Sequence, residues 1–244
     1  MQLDRIIAVR NSKTVFCDEN KCYKVFNAEH SKADVLNEAL NQARAEETGL
    51  DVPKVLEVTM IDGKWALVCE YIEGKSLARL MKERVEKRAA YLNLFVTLQL
   101  ETQKKSCPLL PFLADKMKRE IACANFDDAV CKRLLNRLSS LPEGKSLCHG
   151  DFRPENVIIS ENGTPFIIDW SHASQGSALA DTAKTYLLFL LEGDSAAAEE
   201  YLDLFCKKSG RKEGDIKKWL PVVAAAQTAK GNEKERRFYS SWIG

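Results

Sequence analysis

An aspartate, an asparagine five residues later and a second aspartate at the end of an apolar run stand close together in this chain. They are Asp151, Asn156 and Asp169, within Leu147-Cys148-His149-Gly150-Asp151-Phe152-Arg153-Pro154-Glu155-Asn156 and Phe166-Ile167-Ile168-Asp169-Trp170. Phosphoryl transfer from a nucleotide needs such a set. One carboxylate receives an acceptor hydroxyl, while an amide and a second carboxylate hold the metal ions that neutralise the phosphate oxygens. Asp or Asn alone in a loop is more often a cap or a turn former. The three together at this spacing are not explained that way.

Their setting supports the same chemistry. Val157-Ile158-Ile159 and Phe166-Ile167-Ile168 are short apolar runs, and Glu161-Asn162-Gly163-Thr164 between them reads as a hairpin turn. The hairpin carries Asn156 at its start and Asp169 at its end, so both reach one edge.

The elements before the hairpin change character once. Residues 5–9, 14–17 and 22–26 are short and β-prone, with a turn at Asp18-Glu19-Asn20. Ser31 followed by Asp34 is a capping box, and Val35, Leu36, Ala39, Leu40 and Ala43 make an apolar stripe for a helix that Gly49 ends. A strand pair follows, turning at Asp62-Gly63 and ending in Trp65–Tyr71. From Ser76 to Leu141 the pattern is helical throughout, and helices return from about Ala180. The expected layout is α+β: a small sheet with one helix, a connector near residues 70–75, and a larger helical part that holds the loop with Asp151.

Bulk composition narrows the partners. The chain has 244 residues, 45% of them apolar, with 36 basic and 35 acidic side chains and a formal net charge of +1. That balance gives no footprint for nucleic acid or an anionic membrane, and no apolar run reaches the length of a membrane span. The start of the sequence has no basic stretch leading into an apolar signal segment. The eight cysteines form no Cys-x-x-Cys pair, and several sit in apolar runs, so reduced thiols in a cytoplasmic protein are expected.

In its His-x-Asp-x-x-x-x-Asn loop, the Asp after the apolar strand, and the strands ahead of them, the chain resembles the aminoglycoside phosphotransferase and choline kinase group, the small-molecule branch of the protein-kinase-like fold. The resemblance runs from the first strands to about Leu191. It implies a bilobal fold: an antiparallel-sheet nucleotide-binding lobe over residues 1–72, and a mostly helical catalytic and acceptor-binding lobe over 73–244. ATP and magnesium are implied with it. Asp151 would be the catalytic base, Asn156 and Asp169 the magnesium ligands, and Arg153 a candidate to meet the transferred phosphate. Lys24 resembles the lysine on the nucleotide's α- and β-phosphates, with Glu38 as its carboxylate partner and Glu46 as a rival. Glu70, Tyr71 and Ile72 resemble the hinge that reads adenine through backbone groups. Asp181 resembles a buried aspartate bracing the loop, and His149 a residue that packs inside it. The Gly-x-Gly-x-x-Gly phosphate cover of protein kinases is absent. Arg10-Asn11-Ser12-Lys13-Thr14 takes its place, where Ser12 and backbone N–H groups could meet phosphate.

Three functions compete on these residues. A Ser/Thr protein kinase is disfavoured because only eleven residues separate Asp169 from Asp181, too few for a peptide-binding activation segment. A nucleotide-binding protein without catalysis would predict loss of Asp151, Asn156, Asp169 or Lys24, and all four are present. An ATP-dependent kinase acting on a small-molecule hydroxyl remains. Residues 170–244 hold ten acidic and eleven basic side chains, which weighs against a polycationic acceptor. Trp170, Tyr186, Trp219, Tyr239 and Trp242 could supply a cage for a choline-type ammonium, although helix-spaced aromatics are more often core. A sugar or amino-alcohol hydroxyl is equally compatible. Oligomeric state is not legible.

Overall fold

The structure, a computed structural model, describes residues 5–9 and 12–244. Along the chain the strands are β1 (Arg5–Val9), β2 (Lys13–Asp18), β3 (Lys21–Phe26), β4 (Val55–Ile61), β5 (Lys64–Glu70), β6 (Gly74–Ser76), β7 (Ser146–Cys148), β8 (Val157–Ser160), β9 (Pro165–Ile167) and β10 (Ser174–Gly176). The helices are α1 (Lys32–Glu46), α2 (Leu77–Glu83), α3 (Arg88–Lys104), α4 (Leu113–Cys123), α5 (Asp128–Ser140), α6 (Ala178–Leu191), α7 (Ser195–Ser209), α8 (Glu213–Lys217), α9 (Leu220–Thr228) and α10 (Glu233–Ser240). Contacts divide them into two compact units: the described residues up to Glu83 with Pro154–Ala173, and Arg84–Arg153 with Ser174–Gly244.

The first unit is built on a five-stranded antiparallel sheet in the order β1-β2-β3-β5-β4. Phe26, Val35, Ala39, Leu67 and Cys69 form its core, with Val55, Val58 and Trp65 against them. The expected capping box is present: the Asp34 N–H donates to Ser31 Oγ (3.2 Å) and the Ser31 N–H to Asp34 Oδ2 (3.2 Å). Of the expected apolar stripe of α1, Val35 and Ala39 are buried, but the two leucines are not. Leu36 and Leu40 are 44% and 47% exposed. The buried side carries Val35, Glu38, Ala39, Asn41, Gln42 and Ala45. Polar groups are buried at least cost where they find partners: Glu38 meets two lysines, and the Asn41 and Gln42 amides donate to Ser171 O and Pro53 O.

A three-stranded sheet, β6-β8-β9, completes this unit. Val157 faces Ile167 across the hairpin, and the Ile168 N–H donates to Asn156 O at 2.9 Å. Gly74 lies so close to β8 that a Cβ there would run into Ile159 O, so the change of regime at Gly74 is a backbone contact that only glycine permits.

In the second unit the helical pattern expected from Ser76 to Leu141 is interrupted. Residues 105–112, which include Pro108 and Pro111, leave helix between α3 and α4. Gln175 Nε2 donates to the carbonyls of Pro108 and Leu110, both at 2.7 Å, and anchors that segment. Phe95 is fully buried among rings, with Phe152 at 4.7 Å, Phe189 at 5.9 Å and Tyr201 at 6.0 Å between centroids. Among the described residues no helix is long and apolar enough to cross a membrane, and all eight cysteines are free. Truncation of Phe95 to Ala should cost about 3–5 kcal/mol of stability, read as a fall in the urea midpoint. Because its ring meets Phe152 beside Asp151, the loss of stability should come with a loss of activity.

Candidate active site

In the first unit, strand alternation puts Lys24 on the same face as Val15, its register partner across β2–β3, and as Lys13 two residues before Val15. The α1 helix brings Glu38 to that face. Lys24 Nζ donates to Glu38 Oε1 at 2.9 Å, so Glu38 and not Glu46 is the helix partner; Glu46 Oε2 instead accepts from the Val55 N–H (3.4 Å). Lys13 Nζ donates to the same Glu38 oxygen at 2.9 Å and to Asp169 Oδ1 at 3.2 Å. Lys24 Nζ is 3.7 Å from that Asp169 oxygen. Burial alone would pull the Lys24 ammonium down, but the Asp169 and Glu38 carboxylates outweigh it and raise its pKa well above the usual lysine value. It is therefore a cation at any physiological pH.

The backbone fixes Asp169. It sits in the left-handed region at φ 64°, ψ 62°, a conformation Asp tolerates better than most residues. Fully buried Trp170 donates through Nε1 to Ile167 O at 2.9 Å, and Asn41 Nδ2 donates to Ser171 O at 3.3 Å, tying the segment to α1. Asn156 is buried. Lys13, Lys24, Asn156 and Asp169 line one cleft of about 560 Å³ with Glu70, Tyr71 and Ile72, within the range of roughly 300–1,000 Å³ usual for ligand sites. The Glu70 N–H donates to Lys54 O and the Tyr71 N–H to Asn20 O, both at 2.9 Å, so these two donors are already used by the sheet. Ser12 O accepts from the Asn27 N–H at 2.9 Å. Lys13 and Thr14 of the expected phosphate cover open β2, and Arg10 and Asn11 lie outside the described residues.

Asn156 and Asp169 fit a magnesium ion: one amide oxygen and one carboxylate, with the remaining positions left to phosphate and water, is how that ion is usually held. Among the described residues no group of three or more His, Cys, Asp or Glu forms a dedicated metal cage.

The second unit carries Asp151. Gly150, at φ 77°, gives its N–H to Asp181 Oδ1 at 2.9 Å, and Gln103 Nε2 reaches Asp181 Oδ2 at 3.4 Å. His149 is fully buried. Its Nδ1 accepts the Asp151 N–H at 3.2 Å, and its ring meets Phe152 edge-on. Arg153 Nε donates to Asp151 Oδ1 and Arg153 Nη1 to Glu192 Oε1, both at 3.1 Å. A buried polar chain runs behind the loop: Tyr201 Oη to Gln99 Oε1 (2.5 Å), Gln99 Nε2 to Thr185 Oγ1 (3.0 Å), and Thr185 Oγ1 to Phe152 O (3.1 Å). Sequence reasoning did not single out Lys13, Gln99 or Thr185. The only available signal was a lysine or a polar residue at a position whose strand or helix phase is inward.

The model of the phosphotransferase enzyme family matches residues 10–216. The chain belongs to the phosphotransferase enzyme family. Among solved structures, this phosphotransferase is similar to choline kinase LicA from Streptococcus pneumoniae (19% identity over 100% of this chain and 92% of that one, TM-score 0.65). It is also similar to a thermostable mutant of aminoglycoside phosphotransferase APH(4)-Ia (17%, 98% and 91%, TM-score 0.71) and to APH(3'')-Id from Streptomyces rimosus ATCC10970 (16%, 90% and 91%, TM-score 0.65). At these identities the likeness shows the kinase-like fold. No curated protein matches the chain.

Replacing Glu38 by Gln removes the carboxylate from two ammonium groups in a nearly dry site. We expect a loss of roughly 3 kcal/mol in urea unfolding. Adding Lys13→Met should recover part of it, because one lysine can then pair with Asp169 alone.

Proposed function

We propose that the protein transfers the γ-phosphoryl group of ATP to the hydroxyl of a small molecule. The observation that carries this reading is the cleft of the first unit, where Lys24, tied to Glu38, meets Asp169 and Asn156 in a cavity of nucleotide size. The APH(4)-Ia structure in complex with AMP-PNP and hygromycin B supports it as an analogy. Under this reading, Lys24 binds the α- and β-phosphates and Glu38 holds its ammonium in place. Backbone groups of Glu70, Tyr71 and Ile72 other than the two engaged N–H donors meet the adenine edge, and Ser12 lies on the phosphate side. A magnesium ion, held by Asn156 and Asp169, would neutralise phosphate charge. Asp151 accepts the hydrogen bond of the acceptor hydroxyl and orients it. Arg153 steadies that carboxylate and offers a planar cation to phosphate oxygens. His149 and Asp181 hold the loop's shape. Residues 1–72 form the nucleotide lobe in this reading and 73–244 the lobe for catalysis and acceptor, with Asn156 and Asp169 of the latter range contributing to the nucleotide cleft. No covalent intermediate is expected, since the motif places no nucleophile.

Charge near the base bears on the acceptor. Burial lowers the pKa of Lys184, with Asp151 opposing, and burial with the charge of Lys184 pushes Lys116 down to about 8. Lys184 thus feels the charge of the base, with Glu120 and Asp181 also near it, and an ammonium on that side favours a neutral or acidic hydroxyl compound over a polycation. The aromatics that could have caged a quaternary ammonium are mostly core: Trp170, Tyr186, Trp219 and Tyr239 are buried, and Tyr186 donates to Glu199 Oε1 at 2.5 Å.

The test is acceptor-dependent ADP release with Mg·ATP across simple sugars, hydroxy acids, homoserine, choline, ethanolamine and aminoglycosides. Release is expected with a sugar or a hydroxy acid. Asp151→Ala should lower turnover by on the order of 10²–10⁴ and leave ATP binding largely intact. Turnover unchanged in that variant would sink the assignment of Asp151. Binding of Mg·ATP with no release for any acceptor would favour a nucleotide-binding protein without catalysis.

A further inference from the structure

The second unit gathers cations on the side of Asp151 that phosphoryl transfer itself leaves without a task. Lys184 lies on α6 one turn after Asp181, whose Oδ1 accepts the Gly150 N–H next to the base. Lys116 and Glu120 lie one turn apart on α4, and α4 and α6 both pack against α9. The charged groups that act on Lys184 are Asp151, Glu120, Lys230 and Asp181. Those that act on Lys116 are Lys184, Glu120, Lys230 and Arg119. The carboxylates of this group are engaged elsewhere. Glu120 Oε1 takes Lys230, Asp151 Oδ1 takes Arg153 Nε at 3.1 Å, and Asp181 takes the Gly150 N–H and Gln103. Lys184, partly buried, is left with no ion pair and no hydrogen bond among the described residues. A cation that has lost water and gained no partner is costly, and an incoming anion offsets that cost.

Tyr239 points to a ligand independently. It is 5% exposed on α10, and the charges of Arg153 and Asp151 both act on it. Its hydroxyl has no hydrogen-bond partner and is not sealed from solvent, whereas a buried tyrosine usually satisfies that group. Around the base, then, an ammonium and a hydroxyl both stand ready to donate.

We infer that the acceptor carries an anionic group, a carboxylate or a phosphate ester, and that Lys184 binds that group beside Asp151 with Lys116 adding to the positive field. The inference rests on the reading of Asp151 as the group that orients the acceptor hydroxyl. An anionic acceptor must approach a carboxylate base, and the repulsion between them calls for cations that the base does not itself consume. Arg153 is already on Asp151; Lys184 is not. Burial lowers the pKa of Lys184, and a bound anion raises it again, so the ligand holds the ammonium in its charged form. The Tyr239 hydroxyl offers a second hydrogen bond. A polycation would instead bring its own ammonium groups against Lys184 and Lys116.

The experiment measures ADP release from Mg·ATP by the whole protein with matched acceptors: glycerate and glycerol, glucose 6-phosphate and glucose, with choline as the cation. Wild type, Lys184→Met and Lys184→Arg are compared, and circular dichroism and Mg·ATP binding check the fold. In wild type the anionic member of a pair should exceed its neutral parent by about tenfold or more in kcat/KM, the scale of one charge-assisted hydrogen bond. A carboxylate site shows this with glycerate, a phosphate site with glucose 6-phosphate. In Lys184→Met the preference should fall by a similar factor, through KM, and Lys184→Arg should restore most of it. A neutral parent or choline used as well as either anionic acceptor overturns the inference and leaves the reading of Asp151 standing; this arm needs no variant and holds even if Lys184→Met does not fold. A preference that survives Lys184→Met, including by an equal loss for both members of a pair, also overturns it, because Lys184 would then only shape the site. No ADP release with any acceptor, from protein that binds Mg·ATP, removes the reading of Asp151 and the inference with it.

Discussion

Four charges in one cleft organise the first unit: Lys13, Lys24 and Glu38, all nearly buried, and the half-buried Asp169. None of them could be buried alone at tolerable cost, since an unpaired charge in that setting shifts its pKa or opens the structure to water. Together they join β2, β3, α1 and the end of the β8–β9 hairpin. The peculiarities around them follow. The α1 helix turns a polar face inward and leaves Leu36 and Leu40 outside. Asp169 accepts a left-handed backbone, held by Trp170 and by Asn41 on α1. A cluster kept together by Coulomb attraction, and not by shape, is also one that an incoming anion can rearrange.

The second unit solves a different problem. The loop with Asp151 is fixed mainly through hydrogen bonds to its backbone, while Arg153 pairs with the carboxylate itself. Asp181 takes the Gly150 N–H, His149 the Asp151 N–H, and Thr185 reaches the Phe152 carbonyl. Thr185 is held by Gln99, and Gln99 by Tyr201. Such a chain is rigid because each member is both positioned and satisfied. The rings of Phe95 and Phe152 close it on the apolar side. In the proposed role this matters more than a perturbed proton affinity, since misplacement of the attacking oxygen costs rate.

Much of this was legible in the chain itself. The hairpin carrying Asn156 and Asp169, the capping box at Ser31 and the strands of the first sheet are local patterns, and local patterns fix local structure. Lys13 was hidden for the opposite reason. Its partners, Glu38 and Asp169, lie 25 and 156 residues away, and a lysine at a strand end looks like a surface residue until they are in place. Glu38 misled in the same way. Periodicity counted Leu36 and Leu40 with Val35 and Ala39 on the buried face of α1; Val35 and Ala39 are buried, whereas the pairing of Glu38 turns the two leucines outward. The break between α3 and α4 follows from Pro108 and Pro111 together with Gln175, which only the fold brings alongside.

The account stands or falls on whether the charged cleft of the first unit is a metal-nucleotide site. The most direct measurement is calorimetric binding of a non-hydrolysable ATP analogue with and without magnesium, to wild type and to Asp169→Asn. Binding strengthened by magnesium in wild type, and indifferent to magnesium in the variant, is the predicted result. No binding to wild type, or the same magnesium dependence in both proteins, would contradict it.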